Sequence, residues 1–262
     1  MTLIVGIKCS DGVVLGADGA ATFGNLGQHT IRQPVRKLTL VQNRLIVGVS
    51  GPVGLGQRIA GEVLKLSEAG ELSCHKPHEM GPLIRGKIFD LTWGPELNVA
   101  AIAQKALGQA GVQGALSATL IAVSVSETPC LVQFDHLGAP ELATDDLPFV
   151  AVGSGEPIAD TFLAFLKQIF WPKRLPNLQE GILTAVWTLD QAIKTHPGGV
   201  ADPIQIATLR QEGKEPVARE LAEQELEEHR QAISAAEKTL TEYLCALHRP
   251  HTPDEVPPPP KP

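Results

Sequence analysis

The chain has no long apolar run. Its apolar stretches are short and broken by polar residues, whereas a bilayer-spanning helix needs about 20 consecutive apolar residues, so no membrane partner is expected. It also lacks a basic excess. Lys and Arg number 22 against 29 Asp and Glu, a net charge of −7 with a pI near 5.6, which argues against nucleic acid or an acidic membrane as the main partner. No basic stretch followed by a long apolar one opens the chain, so no signal peptide is expected. Cysteine is scarce: Cys9, Cys74, Cys130 and Cys245 lie far apart, a pattern of buried thiols in a cytosolic chain and not of a disulfide framework.

What is present is enough apolar content, 43% of 262 residues, to build a core in one large domain or two small ones. Alternation and turn signals predict strands at 2–9, 12–18, 35–41 and 44–50. Gly51-Pro-Val-Gly54 then opens a helix to about Leu66, with Ala60, Val63, Leu64 and Leu66 as its apolar face. Residues 68–95, with their Gly, Pro and His, read as irregular. A helix over 96–110, strands at 117–125 and 130–134, a strand at 147–152, helices ending near 170 and spanning 178–194, and a strand at 204–209 follow. This order fits an α+β fold with two sheets sandwiched between helix layers.

Beyond 212 the character changes. Residues 215–247 are rich in good helix formers and predict a long amphipathic helix. The tail from Arg249 has four consecutive prolines and cannot bury apolar surface. The expected organisation is therefore a domain over 1–212, a helical extension over 213–247 and a proline-rich, disordered tail over 248–262.

The chain opens Met1-Thr2, and Met1 is readily trimmed before a residue as small as threonine. Asp11-Gly12 turns one apolar strand into a second that ends on Asp18. The hairpin brings a chain-terminal hydroxyl near a buried carboxylate. A terminal Thr holds a nucleophile and a free amine in one residue, and the amine can act as base for its own hydroxyl.

Three motifs in order resemble one family. Gly16-Ala-Asp18-Gly19-Ala-Ala-Thr22-Phe-Gly24-Asn25 is similar to the corresponding run of HslV. Arg36-Lys37-Leu38 through Ile46-Val-Gly48-Val-Ser-Gly51 resembles a lysine strand and glycine turn, and Gly153-Ser154-Gly155 resembles a Gly-Ser-Gly segment. These are features of proteasome-type β-subunits, the N-terminal-nucleophile hydrolases that include HslV, Anbu and the bacterial proteasome homologues. The resemblance covers roughly residues 2–210, with Asp18 sixteen positions after Thr2 as in the family.

The resemblance implies a four-layer αββα sandwich, and a threonine-type endopeptidase that cleaves unfolded proteins or peptides inside a ring chamber. In it Thr2 is the nucleophile after Met1 removal, Lys37 lowers the hydroxyl's pKa, Asp18 orients Lys37, the Gly51 N–H faces the oxyanion, and Ser154 bonds the terminal amine. The stretch from Asp18 to Lys37 is longer than usual, and residues 28–34 absorb the difference. Thr22 and Gly51 would bind an extended peptide through main-chain hydrogen bonds. Ala21, Val35, Val49 and Val53 would line a small-to-medium apolar specificity pocket. Where many members have an Asp and a Ser–Gly after the last core helix, this chain has Thr195-His196-Pro-Gly-Gly-Val-Ala-Asp202. No cofactor or metal is implied.

The resemblance also implies a bacterial cytoplasmic location and homo-oligomeric rings of six or seven subunits, seven favoured, stacked in pairs. Polypeptide is the implied substrate and an ATP-dependent unfoldase a candidate partner. Two other readings stand beside this one. The same terminal chemistry would serve an amidase acting on a small amide, and a ring subunit with a degenerate site would keep only the fold. Cys74-His75-Lys-Pro-His78 lacks the spacing of a zinc module, and Gly51-Pro-Val-Gly-Leu-Gly56 lacks the Lys-Ser/Thr of a phosphate loop.

Overall fold

A computed structural model describes residues 2–23, 31–72, 76–107, 116–195 and 200–247. Gly24, Asn25, residues 28–30, Cys74, His75, 196–199 and the proline-rich tail lie outside the described residues.

The opening hairpin forms as its pattern predicts. Strands β1 (Leu3–Lys8) and β2 (Gly12–Ala17) pair antiparallel with Ile4 opposite Ala17. A short pair follows, β3 (Ala20–Phe23) with β4 (Ile31–Pro34). Then come β5 (Leu38–Val41) and β6 (Leu45–Ser50). Strand β5 starts later than expected, because Val35–Lys37 has no ladder partner. Helix α1 (Val53–Glu68) buries Leu55, Ile59, Val63 and Leu66, so its inward stripe is rotated from the one expected; Ala60 and Leu64 flank it, half-buried.

Residues 77–93 are helical, not irregular. Helix α2 (Pro77–Ile84) has Pro at its first position, and the Glu79 carboxylate accepts the Lys76 N–H at 3.1 Å. A π-helical stretch (Arg85–Trp93) runs on into α3 (Gly94–Leu107). Buried Met80, Ile84, Ile88 and Trp93 hold this run against the sheet, and that burial outweighs the helix-breaking Pro82 and the weak helix former Gly86.

Strands β7 (Ala118–Val125), β8 (Thr128–Phe134), β9 (Pro140–Leu142) and β10 (Phe149–Gly153) lead into helices α4 (Glu156–Phe170) and α5 (Leu178–Thr195). Strand β11 (Gln205–Glu212) then pairs with β12 (Glu215–Glu220). Strand β12 occupies residues where the composition predicts the start of the long helix. The turn at Gly213, with φ of +61°, and six cross-strand pairs to β11 override the helix propensity of Glu, Ala and Arg. Helix α6 accordingly begins at Glu223 and ends at Leu247. The chain divides into two compact units after Leu221. Within the second unit α6 exposes Leu240, Leu244 and Leu247.

Each five-stranded sheet is antiparallel, with orders β10-β1-β2-β11-β12 and β5-β6-β7-β8-β9. The layer between them is built of small and branched side chains. Among the described residues, six of its fifteen buried ones are alanines: Ala17, Ala118, Ala122, Ala143, Ala207 and Ala218. At Gly48 an added methyl would lie 3.1 Å from Ile4 and from Leu38, so even one carbon is tight there. The second core, between β5–β9 and helices α1–α3, is bulkier, with Met80, Trp93 and Phe134. Helix α5 covers the other face of β1 and β2, where a methyl on Gly16 would meet Leu189 at 2.9 Å. Cys9 and Cys130 are buried as expected, and burial pushes both thiols up. Cys245, on α6, is exposed instead.

Candidate active site

Asp18 follows β2 directly and is fully buried. A buried carboxylate must be matched by donors, and this one has four. Its Oδ1 accepts the Leu3 N–H at 2.8 Å and the Lys37 ammonium at 2.5 Å. Its Oδ2 accepts the Ala20 N–H at 3.1 Å and the Ala201 N–H at 3.3 Å. One oxygen thus joins the start of the chain to Lys37. The Lys37 side chain is only 6% exposed. Burial pushes its ammonium below the ordinary lysine range, while the charge and hydrogen bond of Asp18 pull it back up. Arg36, its neighbour, points outward to Glu220 at 3.2 Å, which assigns the buried cation of this segment to Lys37.

Thr2 is half-buried at the head of β1. Its N–H donates to Ser154 Oγ at 3.2 Å, and its carbonyl accepts from Ser154 Oγ and from the Gly155 N–H, both at 3.4 Å. Strand β10 brings Ser154 there, because Leu3 pairs with Gly153. Ser154 does not cap α4, whose N-cap is Gly155.

Gly51 follows β6, just before α1, at φ of +144°. A methyl there would lie 2.8 Å from the Leu116 carbonyl. Backbone angle and space both require glycine. Of the expected pocket residues, Val49 is half-buried and packs on the α1 core, Val35 is half-buried, and Val53 is 56% exposed. The side chains of Ala21 and Thr22 lie outside the described residues.

Two contributors have no sequence signal. In the segment after α5, Ala201 bonds Asp18 through its backbone, and its carbonyl accepts the Gly19 N–H at 2.9 Å. No side-chain pattern could have revealed a backbone contact. The second is Gln205, the first residue of β11. The structure thus places a hydroxyl residue at the head of β1, a buried ammonium bonded to the carboxylate that also holds Leu3, and a glycine turn before α1, groups of the kind an oxygen nucleophile and its charge stabilisation use.

The family model described as "Proteasome subunit" matches residues 2–73, the segment holding Thr2, Asp18, Lys37 and Gly51. Proteasome subunit beta 2 of Thermococcus onnurineus is 27% identical over 214 residues, covering 81% of this chain and 92% of that protein. Proteasome subunit beta of Methanocella paludicola is 25% identical over 193 residues, covering 74% of this chain and 80% of the relative. The fold matches Anbu (ancestral beta-subunit) from Yersinia bercovieri with a TM-score of 0.63 at 13% identity, over 97% of this chain and all of that one. The likeness to HslV rests on the Gly16–Asn25 motif alone. The chain is thus similar to proteasome β-subunits in its opening segment and across these relatives, and it shares the fold of Anbu.

Proposed function

We propose that the chain is a threonine peptidase acting on unfolded polypeptide, with Thr2 as nucleophile once Met1 is removed. The observation that carries this reading is the single Asp18 oxygen that bonds both Leu3 N–H and the Lys37 ammonium. It ties the nucleophile's strand to a buried cation, a costly arrangement for a purely structural subunit.

In this mechanism Thr2 Oγ attacks the scissile carbonyl, and its proton passes to the free α-amine. The Lys37 ammonium stabilises the developing charge at the threonine oxygen. The Gly51 N–H faces the oxyanion. Collapse of the tetrahedral intermediate breaks the C–N bond and releases the amine fragment with the transferred proton. The resulting ester is attacked by water, which regenerates Thr2 and frees the acid fragment. Ser154 holds the α-amine in place. Val35, Val49 and Val53 would contribute to an apolar specificity pocket, and the Gly51 main chain would bind the peptide. The likeness to proteasome β-subunits supports assembly as rings, here of identical subunits stacked in pairs, seven per ring favoured, in the bacterial cytoplasm. An unfoldase would feed the chamber.

Intact mass of the purified protein, with and without a peptide epoxyketone, tests the reading. The expected result is loss of Met1 and one adduct per chain, absent from Thr2→Ala. A trimmed chain that takes no adduct would overturn it.

Gly51→Ala is expected to lower stability by about 1–3 kcal/mol, the scale of a strained backbone position, and turnover by about 10²-fold or more through displacement of the oxyanion donor. Thermal melts and peptide hydrolysis measure the two separately. A loss of stability with unchanged turnover would leave Gly51 as a turn residue only.

A further inference from the structure

Lys37 must be held in place along its backbone as well as at its ammonium. Residues 35–37 are neither strand nor helix, so their peptide groups have no ladder partners and need others when buried. The Val35 N–H donates to the Gly19 carbonyl at 2.9 Å, and one side chain serves three further groups of this stretch. Gln205 Nε2 donates to the Val35 carbonyl at 2.7 Å, and Gln205 Oε1 accepts the Lys37 N–H at 3.0 Å and the Leu38 N–H at 3.3 Å. Gln205 is only 8% exposed. It opens β11 directly opposite Ala17, the residue before Asp18. Two neighbouring strands therefore grip one residue: β2 holds the Lys37 ammonium through Asp18, and β11 holds its peptide group through Gln205. Asp18 alone fixes only the end of a flexible four-carbon side chain.

We infer that Gln205 is a positioning residue for the catalytic lysine, an amide clamp that sets the register of Val35–Leu38. The inference rests on the peptidase reading of the same site. An amide suits the task because it offers a donor and an acceptor and matches a carbonyl and two N–H groups on one stretch of chain. Alanine offers neither. Glutamate keeps the acceptor and loses the donor, so it sets a carboxylate oxygen against the Val35 carbonyl.

The test compares full-length wild type, Gln205→Ala and Gln205→Glu. On a fluorogenic peptide, kcat is expected to fall about 10²-fold in Gln205→Ala, the scale of a misplacement of about 1 Å, and less in Gln205→Glu. KM should rise less than kcat falls, since Gln205 reaches the proposed pocket only through the Val35 backbone. A second readout needs no turnover: the titration of Lys37 Nζ, followed by NMR in lysine-labelled protein. Burial holds that group low in the wild type, and it should rise towards the ordinary value in Gln205→Ala as the ammonium leaves its buried place. Circular dichroism and melting curves check the fold, and if Gln205→Ala does not fold, Gln205→Glu carries both measurements. A folded variant with wild-type kcat and an unmoved Lys37 titration overturns the inference. If the wild type itself shows no Thr2-dependent turnover, the peptidase reading fails, and the Lys37 titration alone then decides whether Gln205 positions that residue.

Discussion

Thr2→Ala is expected to abolish peptide hydrolysis, by about 10³-fold or more, while leaving the fold in place. The backbone of residue 2 is what the structure uses. Its N–H and carbonyl make the bonds to Ser154 and Gly155, and alanine keeps both. On the peptidase reading its hydroxyl acts in chemistry and not in packing. Peptidase assays and native mass on the purified variant measure the two halves of the expectation. Activity that survives at more than a trace would end the threonine mechanism. The wild-type rate should rise with pH as the α-amine loses its proton, around its usual pKa of ~7.7–8.

Lys37→Ala and Asp18→Ala are each expected to lower kcat by about 10²-fold or more, but their costs in stability should differ. Asp18→Ala leaves a buried ammonium without its counter-charge and removes the acceptor of three backbone N–H groups, a loss of about 3–5 kcal/mol. Lys37→Ala leaves Asp18 still accepting from Leu3, Ala20 and Ala201, a set that keeps a carboxylate content, so its stability cost should be smaller. Linkage gives this a sign. The folded Lys37 pKa lies below the ordinary value of 10.5, so between those two values the unfolded chain binds more protons and Lys37 favours folding increasingly as pH rises. Chemical denaturation of wild type and Lys37→Met across that window should show wild type gaining on the variant towards high pH. An active Lys37→Ala beside an inactive Arg36→Ala would move the catalytic cation by one position.

The opening hairpin and the Lys37–Gly51 stretch were legible because period-two alternation and an Asp-Gly turn leave local marks. Residues 77–93 were not, because Pro82 and Gly86 disguise a helix that burial of Met80, Ile84 and Ile88 stabilises. Strand β12 was misread for the opposite reason: its residues like helices, and only pairing with β11 decides. At the site, Thr2, Asp18, Lys37, Gly51 and Ser154 carry chemistry a sequence can display. Gln205 and Ala201 do not, since a lone glutamine or a backbone N–H gains meaning only from partners some 170 positions away in the chain.

The two sheets divide this site between them. Thr2, Asp18 and Gln205 belong to the strands and strand ends of one; Lys37 and Gly51 flank strands of the other. The ion pair and the amide clamp therefore span the gap between layers, and that gap is set by the alanines and by Gly48 packed within it. The thickness of the hydrophobic filling acts as a ruler for the catalytic distance. On the peptidase reading, side chains of one or two carbons in that layer hold the Thr2 half and the Lys37 half at working separation, and enlarging one of them is expected to lower turnover.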